Sequence, residues 1–455
     1  NNTAVGAQAL RVNTTGTANV AVGAYALDAN TTANYNTAVG YYAMVTNTTG
    51  ERNVAVGSYA GDAVTTANWN VLVGYEAGTN MTTGNYNVAI GYQALEMCTT
   101  DTDNVAVGLR ALEKNVQSNN TAVGNYALQE NTTGQYNVAF GRSAGASITT
   151  GDYNTAVGGL ALDAQTTGDS NTAVGYIALG KNTTGSGNVA LGKSAGQENT
   201  TASSGTFLGF DAGGNVTTGD YNTLVGRSAG VGISDGTRNT IVGSVANDTG
   251  NGNDNTAVGY ACLTGMSNGA NTNTCVGSSA GYSITSGGNN LLLGYNAGTS
   301  NSPGGTVNNE NNFVVLGNND TTSLYCADTS ISSSDSRDKT DITDFTKGLD
   351  WIKALRPITY RWDKRTWYGT DEQPFGTPDG SKKRTQLHIG FLAQEALEIE
   401  KANGYGSSRE DMLVVDLTSD GMSYGMKYER LVPVLVNAIK ELSAEVEQLK
   451  SQLNN

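Results

Sequence analysis

Charge is scarce in this chain. Of 455 residues, 15% are Asp, Glu, Lys or Arg, where about 25% is usual. Proline occurs 5 times and histidine once. So little proline excludes a collagen-like or proline-rich polymer. The 26 basic residues are outnumbered by 41 acidic ones, for a net charge of -15. That balance argues against nucleic acid or an anionic membrane surface as partners, since both demand a basic face. No apolar run approaches the ~18 residues of a membrane-spanning helix, so no membrane insertion is expected. The four cysteines (Cys98, Cys262, Cys275, Cys326) lack metal-ligand spacing, and Asp101 with Asp103 falls far short of a calcium loop. No metal and no cofactor is expected. The chain opens Asn1-Asn2 without a charged-then-apolar leader or a Met, which reads as a fragment or a processed form.

Glycine is the residue in excess, 59 in all, about twice the usual share. It marks a repeat. A small-apolar-Gly core recurs 18 times between Gly6 and Gly294, and 14 of the 17 intervals equal 17 residues. A looser copy ends at Gly317. Four residues before the glycine stands Asn in 17 of 18 copies, with Gly205 the exception. Asparagine suits tight corners, and stacked asparagines can form hydrogen-bonded ladders. Three residues after the glycine stands Ala in 17 of 18 copies, with Cys262 the exception. Thr-Thr-Gly then marks a second turn. Seventeen residues predict two short strands and two turns, with equivalent strands of successive coils paired in parallel about 4.8 Å apart. The fold class is therefore mainly β: a parallel β-solenoid of about 18 coils over residues 1–299. One coil offers few large apolar side chains for a core of its own. Lateral packing between copies is expected, with a homotrimer as the natural closed arrangement.

The repeated Asn-Thr-Ala-Val-Gly-x-x-Ala resembles the head repeats of YadA-like trimeric autotransporter adhesins. That resemblance implies a trimer of parallel β-rolls over residues 1 to about 300.

Composition changes near residue 322. Residues 1–322 hold 9 basic and 20 acidic residues, whereas 323–455 hold 17 and 21, together with Trp351, Trp362, Trp367 and the lone His388. A Gly-Pro-Asn-rich stretch from residue 300 begins an irregular neck (300–330), and 331–455 reads as a separate α+β domain. Helices are predicted over 347–355, stopped by Pro357, and over 393–403; strands over 358–362 and 387–392. Residues 428–453 form the strongest helix. Its stations Leu435, Ile439, Leu442, Val446, Leu449 and Leu453 alternate four and three residues apart, the seam of a coiled coil. His388 reads as structural.

Four ordered blocks in this region resemble the C-terminal intramolecular chaperone of phage tail spikes and fibres, the S74 peptidase family. They are Ser334-Asp335-Ser336-Arg337-Asp338-Lys339, Leu355-Arg356-Pro357-Ile358-Thr359-Tyr360, Gly390-Phe391-Leu392-Ala393-Gln394-Glu395, and Tyr428 to Leu435. The resemblance implies a trimeric domain that guides folding of the preceding stalk and then cuts itself off between Ser333 and Ser334. Self-cleavage needs a nucleophile and a base, and serine must be deprotonated by a neighbour. With one histidine and no apparent Ser-His-Asp set, Lys339 is the candidate base, since a desolvated lysine loses its proton more readily. Ser334 is then the nucleophile, as the resemblance also implies. Arg337 is a candidate for oxyanion stabilisation and Asp335 for orienting the turn. Read from the residues alone, the hexapeptide is more often an exposed polar linker; the resemblance singles out Ser334 and Lys339.

The expected function is a phage tail fibre or spike, present in the virion and extracellular at work. Its expected partners are its own copies, other virion tail proteins and a host cell-surface receptor, a glycan or an outer-membrane component. The alternatives are a tailspike glycan depolymerase and a bacterial trimeric surface adhesin. Scattered acidic residues and the lack of a recurring aromatic platform argue against the depolymerase.

Overall fold

The structure, a computed structural model, describes residues 1–267, 269–303, 305–321, 336, 339–369, 373, 375–418 and 421–454. Two compact units share the chain. One comprises Asn1–Tyr295 with Asn308–Val314, the other Asn296–Val307 with Val315–Asn455.

The first unit is a parallel solenoid. Among the described residues, nineteen strands of three residues each, from β1 (Thr3–Val5) to β19 (Val314–Leu316), form one sheet, and β19 begins at the last residue of this unit. Pairing is parallel and in register: Thr37 faces Val20 on one side and Val54 on the other. The middle residue of each strand points inward, so Ala21, Ala38 and Ala55 are fully enclosed. The flanking residues point outward, as the two-residue period of a strand requires.

Each coil carries one strand, where two were predicted. After the strand, Tyr42 (φ 58°) and Met44 (φ 45°) adopt left-handed backbone conformations. An extended strand never places alternate residues there. This side still bonds to both neighbouring coils: the Tyr42 N–H donates to Ala24 O at 3.1 Å, and the Met44 N–H to Ala60 O at 3.0 Å. The glycine column is explained by space. A Cβ on Gly40 would meet the carbonyl carbon of Gly57 at 2.6 Å. Adjoining backbones approach too closely there for any side chain, and the φ of 146° adds a second requirement.

The asparagines form ladders. The Asn36 N–H donates to Asn19 Oδ1 at 2.9 Å, and Asn53 repeats the bond to Asn36. The Asn36 amide also donates to Gly50 O at 2.7 Å, closing its own coil at the opposite corner. A second ladder links Asn47 to Asn30 at 3.1 Å. Nearly all these amides are enclosed, where a partner missing from a buried polar group costs about 1–3 kcal/mol.

Contrary to expectation, the coils have a core of their own within a single chain. Ala26, Leu27, Ala43 and Met44 are fully enclosed beside the strand alanines. Alanine and one medium side chain per coil suffice because the two faces of the coil lie so close. The need for lateral partners therefore does not follow from a missing core.

The second unit is α+β. Helix α1 (Leu349–Ala354) precedes strand β20 (Ile358–Tyr360), which pairs antiparallel with β21 (His388–Gly390). Helix α2 (Ala393–Ala402) leads to the hairpin of β22 (Val415–Leu417) and β23 (Tyr424–Met426). Helix α3 (Leu431–Leu453) follows a short 3-10 turn at Tyr428–Arg430. Trp351, Leu355, Ala396, Leu397, Val414, Val415, Leu431 and Val434 make the core. α1 is fixed on α3 by the Leu349 N–H, which donates to Glu441 at 2.6 Å.

Candidate functional site

Of the motif residues proposed for self-cleavage, Ser333, Ser334, Asp335 and Arg337 lie outside the described residues. Lys339 is described. It is exposed, so a single copy does not supply the burial expected to ease its deprotonation, and its N–H donates to Ser336 O at 3.4 Å.

The three downstream blocks are brought together. Leu355 packs in the core with Leu431, residues 76 positions apart. Ile358 sits opposite Gly390 in the β20–β21 pair. The Phe391 N–H donates to the Tyr428 hydroxyl at 3.2 Å, and a Cβ on Gly390 would meet that hydroxyl at 2.5 Å. Glycine at 390 is thus required by the tyrosine of the last block. Arg356 of the first of these blocks forks onto Glu395 of the second, with Nε donating to Oε2 at 3.2 Å. This pair raises the Arg356 pKa and lowers that of Glu395, chiefly through the side-chain hydrogen bond. Ile352, Leu355, Pro357, Phe391, Leu431 and Leu435 line an apolar hollow of about 160 Å³ beside the junction.

Glu400 was not legible as special in the sequence. It is fully enclosed, and its carboxylate accepts three backbone N–H bonds: Leu413 at 2.9 Å, Val414 at 2.7 Å and Val415 at 2.9 Å. One acidic side chain on α2 therefore fixes the strand that leads into the hairpin. A charged residue at 0% exposure is retained only when its acceptor capacity is met, and here the chain folds back to meet it.

α3 has two faces. Leu431, Val434 and Ala438 enter the core. Leu435, Ile439, Leu442, Val446, Leu449 and Leu453 are exposed, Ile439 by 67% and Leu453 by 86%. The heptad seam read from the sequence is therefore the face that a single copy leaves uncovered. The solenoid shows a comparable stripe. Outward strand residues Val56, Ile90, Val138, Phe140, Val189 and Leu191 are all exposed.

Aromatic side chains recur as stacked pairs on the solenoid. Trp69 stacks on Tyr86 at 5.1 Å, Tyr75 on Tyr92 at 5.5 Å, and Tyr136 on Tyr153 at 5.2 Å. In each pair one face of each ring is covered by the other ring. Among the described residues, no group of His, Cys, Asp and Glu gathers as a metal site, and no helix is long and apolar enough to cross a membrane.

A family model described as the chaperone of endosialidase matches residues 334–405. No curated protein and no solved structure matches the chain. The matched segment begins at Ser334 and runs through α1, β20, β21 and α2. A chaperone-like segment behind a parallel solenoid fits a protein of the tail-fibre or tailspike type.

Proposed function

We propose that this chain is the subunit of a homotrimeric phage tail fibre or spike that attaches the virion to a host surface receptor. Its C-terminal unit drives trimerisation and folding, then releases itself by cleavage at Ser333–Ser334. The observation that carries the reading is the match to the endosialidase chaperone over residues 334–405, which starts at the residue assigned as nucleophile. The uncovered seam of α3 supports self-association, since exposed apolar residues at heptad spacing are buried by identical helices.

Physical logic joins the two units. Coils of one repeated sequence tolerate a slip by a whole coil, and parallel pairing nucleates slowly. A trimeric foot sets the register before the rod winds. Its removal then leaves the rod kinetically trapped. In the cleavage step, Lys339 takes the Ser334 hydroxyl proton and the oxygen attacks the Ser333 carbonyl. The peptide nitrogen that leaves is that of Ser334 itself, and it takes the proton from Lys339 to become a free amine. This yields an ester between the two residues, and water then cleaves it.

Mass spectrometry of the expressed chain tests the proposal. A fragment beginning at Ser334 is the expected product, and Ser334→Ala is expected to leave one full-length band on a denaturing gel. Continued cutting at this bond in the variant would refute the assignment. Deletion of 334–455 is expected to leave the repeats aggregated or unassembled; normal trimers from that chain would defeat the chaperone reading.

A further inference from the structure

Two buried thiols meet where the repeat is longest. Cys262 stands where the other seventeen copies carry alanine, and Cys275 is the middle residue of strand Thr274–Val276, one coil on. Both are fully enclosed, at 0% exposure. The Cys262 sulfur lies 3.2 Å from the Cys275 carbonyl oxygen and 3.2 Å from that of Ala280. The Cys275 thiol is held well above its ordinary pKa, first by its hydrogen bond with the Cys262 thiol and then by burial.

The setting gives the pair a purpose. From Gly259 to Gly277 the interval is 18 residues, the longest among the 18 regular copies. The extra residue falls between Met266 and Ala270. Ala270 takes the station of the usual corner glycine, because the Asn255 amide donates to its carbonyl at 2.9 Å. Gly269 there adopts φ 101°. The asparagine ladder runs on through this coil, with the Asn255 N–H donating to Asn239 Oδ1 and the Asn273 N–H to Asn255 Oδ1, both at 3.0 Å, so the extra residue is taken up in the corner alone. The cysteines flank that corner.

We propose that Cys262 and Cys275 are a disulfide site that staples this coil to the next across the irregular corner. The co-reactant is a low-molecular-weight disulfide such as oxidised glutathione. One cysteine thiolate attacks it, forms a mixed disulfide and expels one small thiolate. The second cysteine thiolate attacks the protein sulfur of that mixed disulfide and expels the other. One S–S bond breaks and one forms. The protein loses two hydrogens, and the small disulfide is reduced to two thiols by the two electrons the protein sulfurs give up. In the wound coil both sulfurs are enclosed, and burial disfavours the attacking thiolate. Exchange therefore takes place before the strand Thr274–Val276 docks, and the finished coil shields the bond from reductant.

The full chain is to be folded with a mixture of oxidised and reduced glutathione, or with excess reductant alone. Each sample is then alkylated under denaturing conditions and digested with chymotrypsin, which cuts after Leu263 between the two cysteines. A linked Cys262–Cys275 peptide pair is expected in the oxidised sample and two alkylated cysteines in the reduced one. Recovery of both as alkylated thiols after oxidative folding, or pairing of either with Cys98 or Cys326, overturns the proposal. A Cys262→Ala/Cys275→Ala chain provides the folding control, since alanine occupies both stations in most other coils. Amide exchange at Thr274–Val276 is expected to slow on oxidation of the natural chain and to ignore oxidant in the double variant. Equal exchange in oxidised and reduced natural chain also overturns it.

Discussion

Phe207 occupies the space that an asparagine side chain would take at position 205. A Cβ placed on Gly205 would lie 2.5 Å from Cζ of the Phe207 ring. This is the one copy whose ladder station lacks Asn, and its strand is the one with Phe at the centre. The neighbouring coils yield as well, since a Cβ on Gly196 would already lie 2.8 Å from the same ring. Leu72 does the same on a smaller scale, with Gly61 and Gly78 on either side 2.5 and 2.8 Å away by the same measure. These departures are fitted sets. They give individual coils an address, because a slip by one coil would drive Phe207 into an asparagine station. The rod thus carries part of its own register, beside whatever the C-terminal unit supplies.

The fit between positions 205 and 207 is measurable. Gly205→Asn is expected to destabilise the solenoid by about 1–3 kcal/mol through overpacking. Phe207→Ala is expected to cost about 3–5 kcal/mol through the cavity it leaves. Together they restore the sequence of an ordinary coil, so the double variant should cost clearly less than the sum. Denaturant unfolding of the four chains gives the coupling; additive costs would show that the two sites are independent.

Glu400 offers a second test, on the C-terminal unit. Glu400→Ala removes the acceptor of three buried N–H groups and is expected to cost about 3 kcal/mol or more. Urea unfolding followed through Trp351, which lies in the same core, reads the change. A loss below about 1 kcal/mol would mean that water replaces the carboxylate.

The exposed seam of α3 offers a test of the proposed trimer that is separate from folding. Ile439→Asp with Leu442→Asp changes residues that a single copy leaves open, so helix content should persist. Sedimentation is expected to shift from trimer to monomer, and yield of the assembled rod is expected to fall. An unchanged trimer would remove α3 from the account of assembly.

Acid should act oppositely on the two units. Burial raises the carboxyl pKa of Asp62, Glu96 and Asp163 in the solenoid. A raised carboxyl binds its proton more tightly when folded. Stability therefore rises as pH falls through the folded value, and the gain is complete below the unfolded value near ~4. In the C-terminal unit, hydrogen bonds first from the Ser407 side chain and then from the Ser408 backbone hold Asp411 down at about 2. Its contribution is present above ~4 and is lost as pH falls towards that depressed value. Melting curves at about pH 5 and about pH 3, read through Trp69 for one unit and Trp351 for the other, should move in opposite directions. A shift of both in the same direction would contradict this assignment.

Much of this protein was written in its period. Seventeen-residue spacing, Asn before the strand and Gly after it dictated a parallel solenoid, because identical coils can only repeat identical bonds. Leu435 to Leu453 announced the helix and its seam, since helical periodicity is local. What the sequence could not decide was how the far side of each coil runs. Tyr42 and Met44 are poor candidates for left-handed backbone, and bonds to other coils, from Tyr42 to Ala24 and from Met44 to Ala60, help hold them there. The self-sufficient core was hidden for a related reason: alanine looks too small to bury until the opposing face is known to lie against it. Glu400 and the Cys262–Cys275 contact were invisible because their partners arrive from other turns of the chain. Tertiary structure decided these, as it decides any interaction whose two halves are remote in sequence and carry no shared period.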